Sequence, residues 1–193
     1  MSKNISDFIS KLDKLNDEKV EVFIPSRNKT VKIKPLNLKQ QKDIISSTLN
    51  GIKGALDYTQ ALNTIILDNS GITDLKIYDK IPFSINLRVE ALGSQFSGDE
   101  GNINLQAVLN NITKIPFELE DEGTIEHENL KIGLEVPTLE EENALLSRCE
   151  EEINTKSNKL KDNIGTLYLL EIAKYIESLQ IDDDVINMSK IRI

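Results

Sequence analysis

Two short alternating runs, joined by a tight turn and leading directly into a helix-forming segment, constrain this chain most. They lie in Val20 to Gly54, VEVFIPSRNKTVKIKPLNLKQQKDIISSTLNGIKG. Val20, Val22 and Ile24 alternate with Glu21 and Phe23; beyond Pro25-Ser26-Arg27-Asn28, Val31 and Ile33 alternate with Lys32 and Lys34. Period-two patterning places the apolar residues of both runs on one face, as a half-buried β-hairpin requires. Pro35 stops the second strand, since it has no N–H for the ladder and restrains the residue before it. Asn37 can cap the following helix, with Gln40 three residues on as in a capping box. Every part of this module serves packing and none serves chemistry.

The same periodicities divide the rest of the chain. Residues 4–15 read as an amphipathic helix with Ile5, Phe8, Ile9 and Leu12 on one side. It either packs back on its own domain or docks as a terminal arm on a neighbour. After the hairpin, Leu38, Ile45, Leu49, Ile52 and Leu56 lie near one helical face, with Gly51 and Gly54 allowing a turn. A second helix follows on Tyr58, Leu62, Ile65 and Ile66, ended by Gly71. Asp79 is placed to cap a third, with Ile81, Ile85, Val89 and Leu92 inside, Pro82 tolerated in its first turn and Gly93 as its stop. Ser94 to Asn104 reads as a mobile loop, rich in Gly, Asp, Asn and Ser. A short helix over 105–113 precedes an acidic unit in which Phe117 and Leu119, Ile125, and Ile132, Leu134 and Val136 predict two or three antiparallel strands between Pro116 and Pro137. Thr138-Leu139-Glu140-Glu141 is a capping box for a helix to about Thr155, with a stripe of Leu139, Leu146, Cys149 and Ile153. Leu160, Ile164, Leu167, Tyr168, Ile172, Tyr175, Ile176 and Leu179 then predict a last helix central to the core.

The fold expected is therefore α+β and mostly helical: an N-terminal β-hairpin packed on helices, and a small antiparallel β-unit inserted before two C-terminal helices. A single compact domain would comprise 1–115, the acidic unit 116–137 and the helices of 138–193. A chain of 193 residues is long enough for one substantial core, and with no Trp that core rests on Ile, Leu and Val. The net charge of −9 argues against general nucleic-acid binding, which needs concentrated Lys and Arg. No apolar run approaches the ~20 residues of a membrane span, and the polar N-terminus is unlike a signal peptide. One cysteine cannot form an internal disulfide, and a reducing cytoplasm is the simplest compartment.

A search for chemistry yields no catalytic, cofactor-binding or metal-binding residue. His127 and Cys149 are the sole residues of their types, which excludes histidine clusters and multi-cysteine metal sites. As a nucleophile pair they are poorly set, because glutamates around Cys149 raise a thiol's pKa and its stripe position marks it as a packing residue. His127, between Glu126 and Glu128, reads as an exposed surface residue. Asp182-Asp183-Asp184 reads as a solvated turn, and Glu140-Glu141-Glu142 and Glu150-Glu151-Glu152 as exposed helix faces. Nucleotide-binding glycine motifs and a G-x-S-x-G elbow are missing. Arg27, Lys29, Lys32 and Lys34 gather on the hairpin with Lys39 and Lys42 beyond, as a solvated face or as a docking edge for an acidic partner. Arg88, beside the inner stripe of its helix, is a structural clamp or an interface anchor. With Phe8, the residues Arg27, Lys29, Lys32, Lys34, Lys39 and Arg88 form the candidate partner-binding set.

The run FIPSRNKTVKIKPLNLKQQKDI, followed by paired helices and by DKIPFSINLRVEALG, resembles the baseplate hub and hub-assembly proteins of T-even-like contractile-tailed bacteriophages. Lys34-Pro35-Leu36, Lys39-Gln40 and Lys42 match the helix start of those proteins after their short hairpin, and Arg88 with Gly93 matches a later helix. The likeness covers roughly the first hundred residues and leaves Phe117 to Glu152 unmatched. It implies a structural or assembly protein that docks without catalysis, with other tail and hub proteins as partners. Self-association in a ring is a further expectation, as is location in the host cytoplasm during assembly and in the virion tail thereafter. The rival readings are a soluble hydrolase-type enzyme using carboxylates and a cytoplasmic adaptor.

Overall fold

The computed structural model describes residues 19–49, 51–98, 101–114, 122–155, 165, 168–169, 171–182 and 184–187, with backbone alone at 51–53 and 152–155. Phe8 and the rest of the 4–15 stripe, Phe117, Leu119, Leu160, Ile164, Leu167 and Asp183 lie outside them, as do the side chains of Ile52 and Ile153.

The hairpin forms as its alternation dictates. Strands β1 (Val20–Ile24) and β2 (Lys29–Ile33) pair antiparallel, Val20 opposite Ile33 and Val22 opposite Val31. A 3-10 turn at Pro25–Arg27 closes on Asn28 at φ 46°, a left-handed conformation that Asn tolerates better than most residues. Val22, Ile24 and Ile33 point inward and are buried. Helix α1 (Leu38–Ser47) starts on the expected capping box: Asn37 Oδ1 accepts from Gln40 N at 2.9 Å, and Gln40 Oε1 from Asn37 N at 3.1 Å.

The next helix, α2 (Gly51–Ser70), buries Leu62, Ile65 and Ile66 and ends at Gly71, φ 67°. The apolar face drawn through Leu38, Ile45, Leu49, Ile52 and Leu56 is not the packed one. Leu38, Ile45 and Leu49 are exposed and Leu56 is buried. The chain turns at Thr48 and Leu49, earlier than expected, so Leu38 and Ile45 lie on one helix, Leu49 in the turn, and Ile52 and Leu56 on the next helix, with no common wheel. Gly54 falls inside α2 instead of ending α1. A Cβ there would lie 2.7 Å from the Ser47 carbonyl oxygen, so the glycine permits close helix approach.

Helix α3 (Lys80–Leu92) ends at Gly93, φ 84°, as predicted, but with a different side inward. Pro82, Phe83 and Leu87 are buried, whereas Ile81 and Leu92 of the expected stripe are exposed and Ile85 and Val89 are half-buried. Phe83 and Leu87 join Val22, Ile24, Ile33, Leu62, Ile66 and Leu139 in the main core. The helix is apolar on two sides, and the hairpin selects the one with the larger ring. The expected loop over Ser94 to Asn104 is instead an exposed hairpin of β3 (Gln95–Gly98) and β4 (Gly101–Asn104), with Gly101 at φ 125°, a conformation costly for any side chain. Helix α4 (Leu105–Ile112) follows, as its pattern predicted.

The β-unit is larger than the sequence indicated. Strands β5 (Glu122–His127) and β6 (Leu130–Glu135) are joined by β7 (Ile176–Ile181) and β8 (Asp184–Asn187), in the antiparallel order β5-β6-β7-β8. Ile125, Ile132, Leu179 and Ile186 form one cross-strand row. The helix expected through Leu179 therefore ends earlier: residues 171–173 are helical and Ile176 opens a strand. Tyr168, Ile172 and Tyr175 are exposed and do not make a core stripe. Ile176, Leu179 and the intervening polar residues satisfy a helical wheel, yet Ile176-Glu177-Ser178-Leu179-Gln180-Ile181 finds its partner in β6. Asp182, at φ 51°, turns the chain from β7 to β8, which agrees with the solvated-turn reading of the aspartate run.

Between β6 and β7 runs α5 (Leu139–Thr155), opened by the predicted capping box. Glu141 N donates to Thr138 Oγ1 at 3.2 Å and Thr138 N to Glu141 Oε2 at 2.8 Å. Leu75 to Ile77 ties this start to the helical body. Leu139 N donates to Leu75 O at 2.8 Å and Ile77 N to Pro137 O at 3.1 Å, around the buried Pro137. Helices, two antiparallel hairpins and a four-stranded antiparallel sheet make the fold α+β as expected.

Candidate docking surface and buried charge cluster

The structure disperses the candidate partner-binding residues. Lys29, Lys32 and Lys34 are exposed along β2 and its exit, with Glu21 Oε1 3.7 Å from Lys32 Nζ. At the turn Arg27 is engaged by Asp74, whose carboxyl it holds below the usual aspartate value through a side-chain hydrogen bond. Lys39, on α1, flanks a polar cleft of ≈ 510 Å³ between α1 and α2, with Asp43, Asp57, Gln60 and Asp68 in its walls. These carboxylates do not converge: among the described residues no group of three His, Cys, Asp or Glu is arranged to hold a metal ion. Arg88 lies on α3, half-buried, donating to the Gly93 carbonyl at 3.1 Å.

Arg88 also borders an apolar groove of ≈ 280 Å³ between α1, α2 and α3, lined by Leu36, Ile44, Ile45, Tyr58, Leu87 and Leu92 among others. The groove exists because α1 gives Ile44 to the core and leaves Ile45 outside, while α3 turns Leu92 outward. Ile45 and Leu92 belong to the helical stripes expected to face inward.

Charge is concentrated inside the molecule where the sequence predicted an exposed acidic face. Glu142, taken with Glu140 and Glu141 as solvated, is buried; its side chain is 6% exposed. Lys80 from α3 donates to its Oε2, Asn63 Nδ2 from α2 reaches the same oxygen at 2.8 Å, and Lys174 Nζ reaches Oε1 at 3.3 Å. Asn63 Nδ2 also donates to Asn143 Oδ1 at 3.0 Å. Burial pushes the Glu142 carboxyl up, but the hydrogen bond and charge of Lys80, with Asn63 and Lys174, outweigh it and hold the group below the ordinary glutamate value. Burial presses Lys174 the other way, and Glu171 and Glu142 more than offset it, so the ammonium sits above the ordinary lysine value. The cluster joins α2, α3, α5 and the approach to β7.

Asp79 is a second buried acid, and it does not cap α3. Its carboxylate accepts from Ser26 N at 2.9 Å, Ser26 Oγ at 2.6 Å and Lys76 N at 2.9 Å, so it fastens the hairpin turn to the chain entering α3. Cys149 is buried with Leu56 and Leu146, a packing position as predicted, and His127 is exposed on β5. Among the described residues no helix is long and apolar enough to cross a membrane.

A family model described as "T4 bacteriophage base plate protein" matches residues 16–192. Comparison with curated proteins gives no match, and comparison with solved structures gives none.

Proposed function

The chain belongs to the T4 bacteriophage base plate protein family, and from that premise we propose that it builds the hub of the contractile-tail baseplate by docking, without turnover of a substrate. A structural role in the phage baseplate and interaction with other tail proteins follow from the family. Hub placement, virion assembly in the host cytoplasm, service as a permanent subunit or as an assembly factor, and possible self-association belong to the proposal. The observation that carries it is the extent of the match, which takes in the hairpin, the helices and the four-stranded sheet. In further support, the two buried acids, Glu142 and Asp79, are engaged by groups of the protein itself and tie elements together.

Lys29, Lys32 and Lys34 are the contact edge, where a local basic patch on an acidic molecule steers toward an acidic partner. Lys39 extends that edge onto α1. The test is recovery of a tagged chain from infected cells, with the triple replacement of Lys29, Lys32 and Lys34 by Glu alongside. The parent should bring down hub proteins in preference to those of the outer baseplate, and the triple variant should stay folded and lose them. Equal recovery of all tail proteins, or undiminished recovery by the variant, refutes hub docking through this edge. Mass spectrometry of mature virions separates a subunit, which remains in them, from an assembly factor, which does not. Cys149→Ala and His127→Ala should leave tail assembly unchanged; loss of assembly by either soluble variant would contradict a non-catalytic role.

A further inference from the structure

We propose that the four-stranded sheet β5-β6-β7-β8 docks, through the apolar face it leaves open, on another tail protein whose contact surface is apolar at its centre and carries Lys and Arg at its border. This goes beyond the docking reading, which rests on the hairpin lysines. It draws on the family's interaction with other tail proteins and not on hub placement.

Strand pairing makes the face. In an antiparallel ladder directly opposed residues point to the same side, and so do residues two apart along a strand. Ile125, Ile132, Leu179 and Ile186 are opposed in one row, and His127, Leu130, Ile181 and Asp184 in the row two residues along. Both rows share one face, while Glu126, Lys131 and Gln180 stand on the other. An antiparallel sheet commonly packs such a face on a core. Here no residue of the four strands is buried, and Ile125, Ile181 and Ile186 are 52%, 45% and 46% exposed. The first hairpin, by contrast, hides Val22, Ile24 and Ile33. Strands about 4.8 Å apart and about 20 Å long give a four-stranded face of roughly 400 Å², a size at which apolar patches are often functional. That is about half of the ~800 Å² each partner brings to a standard interface, so the border takes part as well.

Charge selects the occupant. Residues 122–135 and 176–187 hold eight acidic residues and one lysine, so a net −7 of the chain's −9 is concentrated in the sheet and its turns. Lys131 Nζ meets Glu126 Oε1 at 2.8 Å, and Lys76 Nζ meets Glu135 Oε1 at 3.1 Å. Glu128, Asp182 and Asp184 have no ion pair among the described residues. They border one end of the face, next to Leu130 and Ile181, because Asp182 N donates to Asn129 O at 2.9 Å and draws the two turns side by side. Such a border attracts Lys and Arg and repels nucleic acid and anionic lipid. A second copy packed face to face would set −7 against −7.

Photo-cross-linking during infection tests this, with p-benzoylphenylalanine in place of Ile125 of the full chain, an apolar exchange at an exposed position, and sequencing of the attached peptides. The expected attachment is to a tail protein, at apolar residues flanked by Lys or Arg. Glu128→Asn, Asp182→Asn and Asp184→Asn together remove three border charges, and Asn tolerates the left-handed backbone at Glu128 (φ 53°) and Asp182 (φ 51°). This variant should keep the parent's Tm and cut the yield about tenfold, the combined worth of three surface ion pairs. Ile186→Lys, at an exposed position away from the turns, should lower the yield to a similar extent by setting an ammonium against an apolar surface with a basic border. An unchanged yield from either variant overturns the proposal. Attachment to a second copy of this chain, to a host protein or to an acidic surface overturns it equally, as does no attachment. The cross-link is read whether or not the attached protein belongs to the hub, and the hairpin lysines take no part in it, so the two readings fail separately.

Discussion

Replacing Glu142 by Gln leaves Lys80 facing a neutral amide in the interior and Lys174 with only Glu171, at 2.6 Å, as counter-ion. The side chains of Lys80 and Lys174 are 19% and 9% exposed, so water cannot solvate either fully. Removing one partner of a buried ion pair typically costs about 3–5 kcal/mol, most of it the desolvation left uncompensated on the other. For a domain of this size, 1 kcal/mol corresponds to about 2–4 °C in Tm, so the variant should melt about 10 °C lower. Urea denaturation at pH 7 should show a lower midpoint with an unchanged slope. The pH dependence gives the second signature. The Glu142 carboxyl titrates lower in the folded protein than its ordinary value of 4.5. Its stabilising contribution is therefore complete above the unfolded pKa and is lost as pH falls through the folded one. Stability of the parent should drop toward acid, and the difference between parent and variant should shrink over that same range. The triple variant Glu142→Leu, Lys80→Met and Lys174→Met should recover part of the loss, since an apolar cluster strands no charge in the interior. A Glu142→Gln unfolding free energy within about 1 kcal/mol of the parent, the most a surface pair is usually worth, refutes the cluster as a joint of the fold.

Three other substitutions probe the joints individually. Gly54→Ala should destabilise by about 1–3 kcal/mol despite the better helix propensity of Ala, because the new methyl meets the Ser47 carbonyl; calorimetry showing a higher Tm refutes close approach. Thr138→Ala removes the cap of α5 and should cost about 1 kcal/mol by urea titration, with Thr138→Ser restoring most of it. Asp79→Ala strands two N–H groups and a hydroxyl and should cost about 3 kcal/mol or more. Asp79→Asn, which keeps one acceptor, should fall between parent and Ala when both are measured by denaturant titration.

Local signals were read correctly because their causes are local. The hairpin of β1 and β2, the caps at Asn37 and Thr138 and the stops at Gly71 and Gly93 depend on residues within a few positions of one another. The faces of α1 and α3 misled because each helix carries apolar residues on more than one side, and only the hairpin's demand for Phe83 and Leu87 decides between them. Glu142 was legible in part. Leu139, Glu142, Leu146 and Cys149 follow one helical stripe, so the glutamate occupies an inward position. Nothing nearby in sequence, however, announces that Asn63, Lys80 and Lys174 meet it there.

The amino-acid order by itself determined the first hairpin, the starts of α1 and α5, the stops of α2 and α3, and that this is an α+β protein. Those properties follow from backbone sterics, capping hydrogen bonds and periodicity over a few residues. The tertiary structure alone decided which apolar face is covered, that Ile176–Ile181 is a strand beside β6, and that a carboxylate is buried between two ammonium groups. Each of these depends on partners distant along the chain: an edge strand, a packed ring or a counter-ion changes the preferred state of a segment whose local pattern fits more than one.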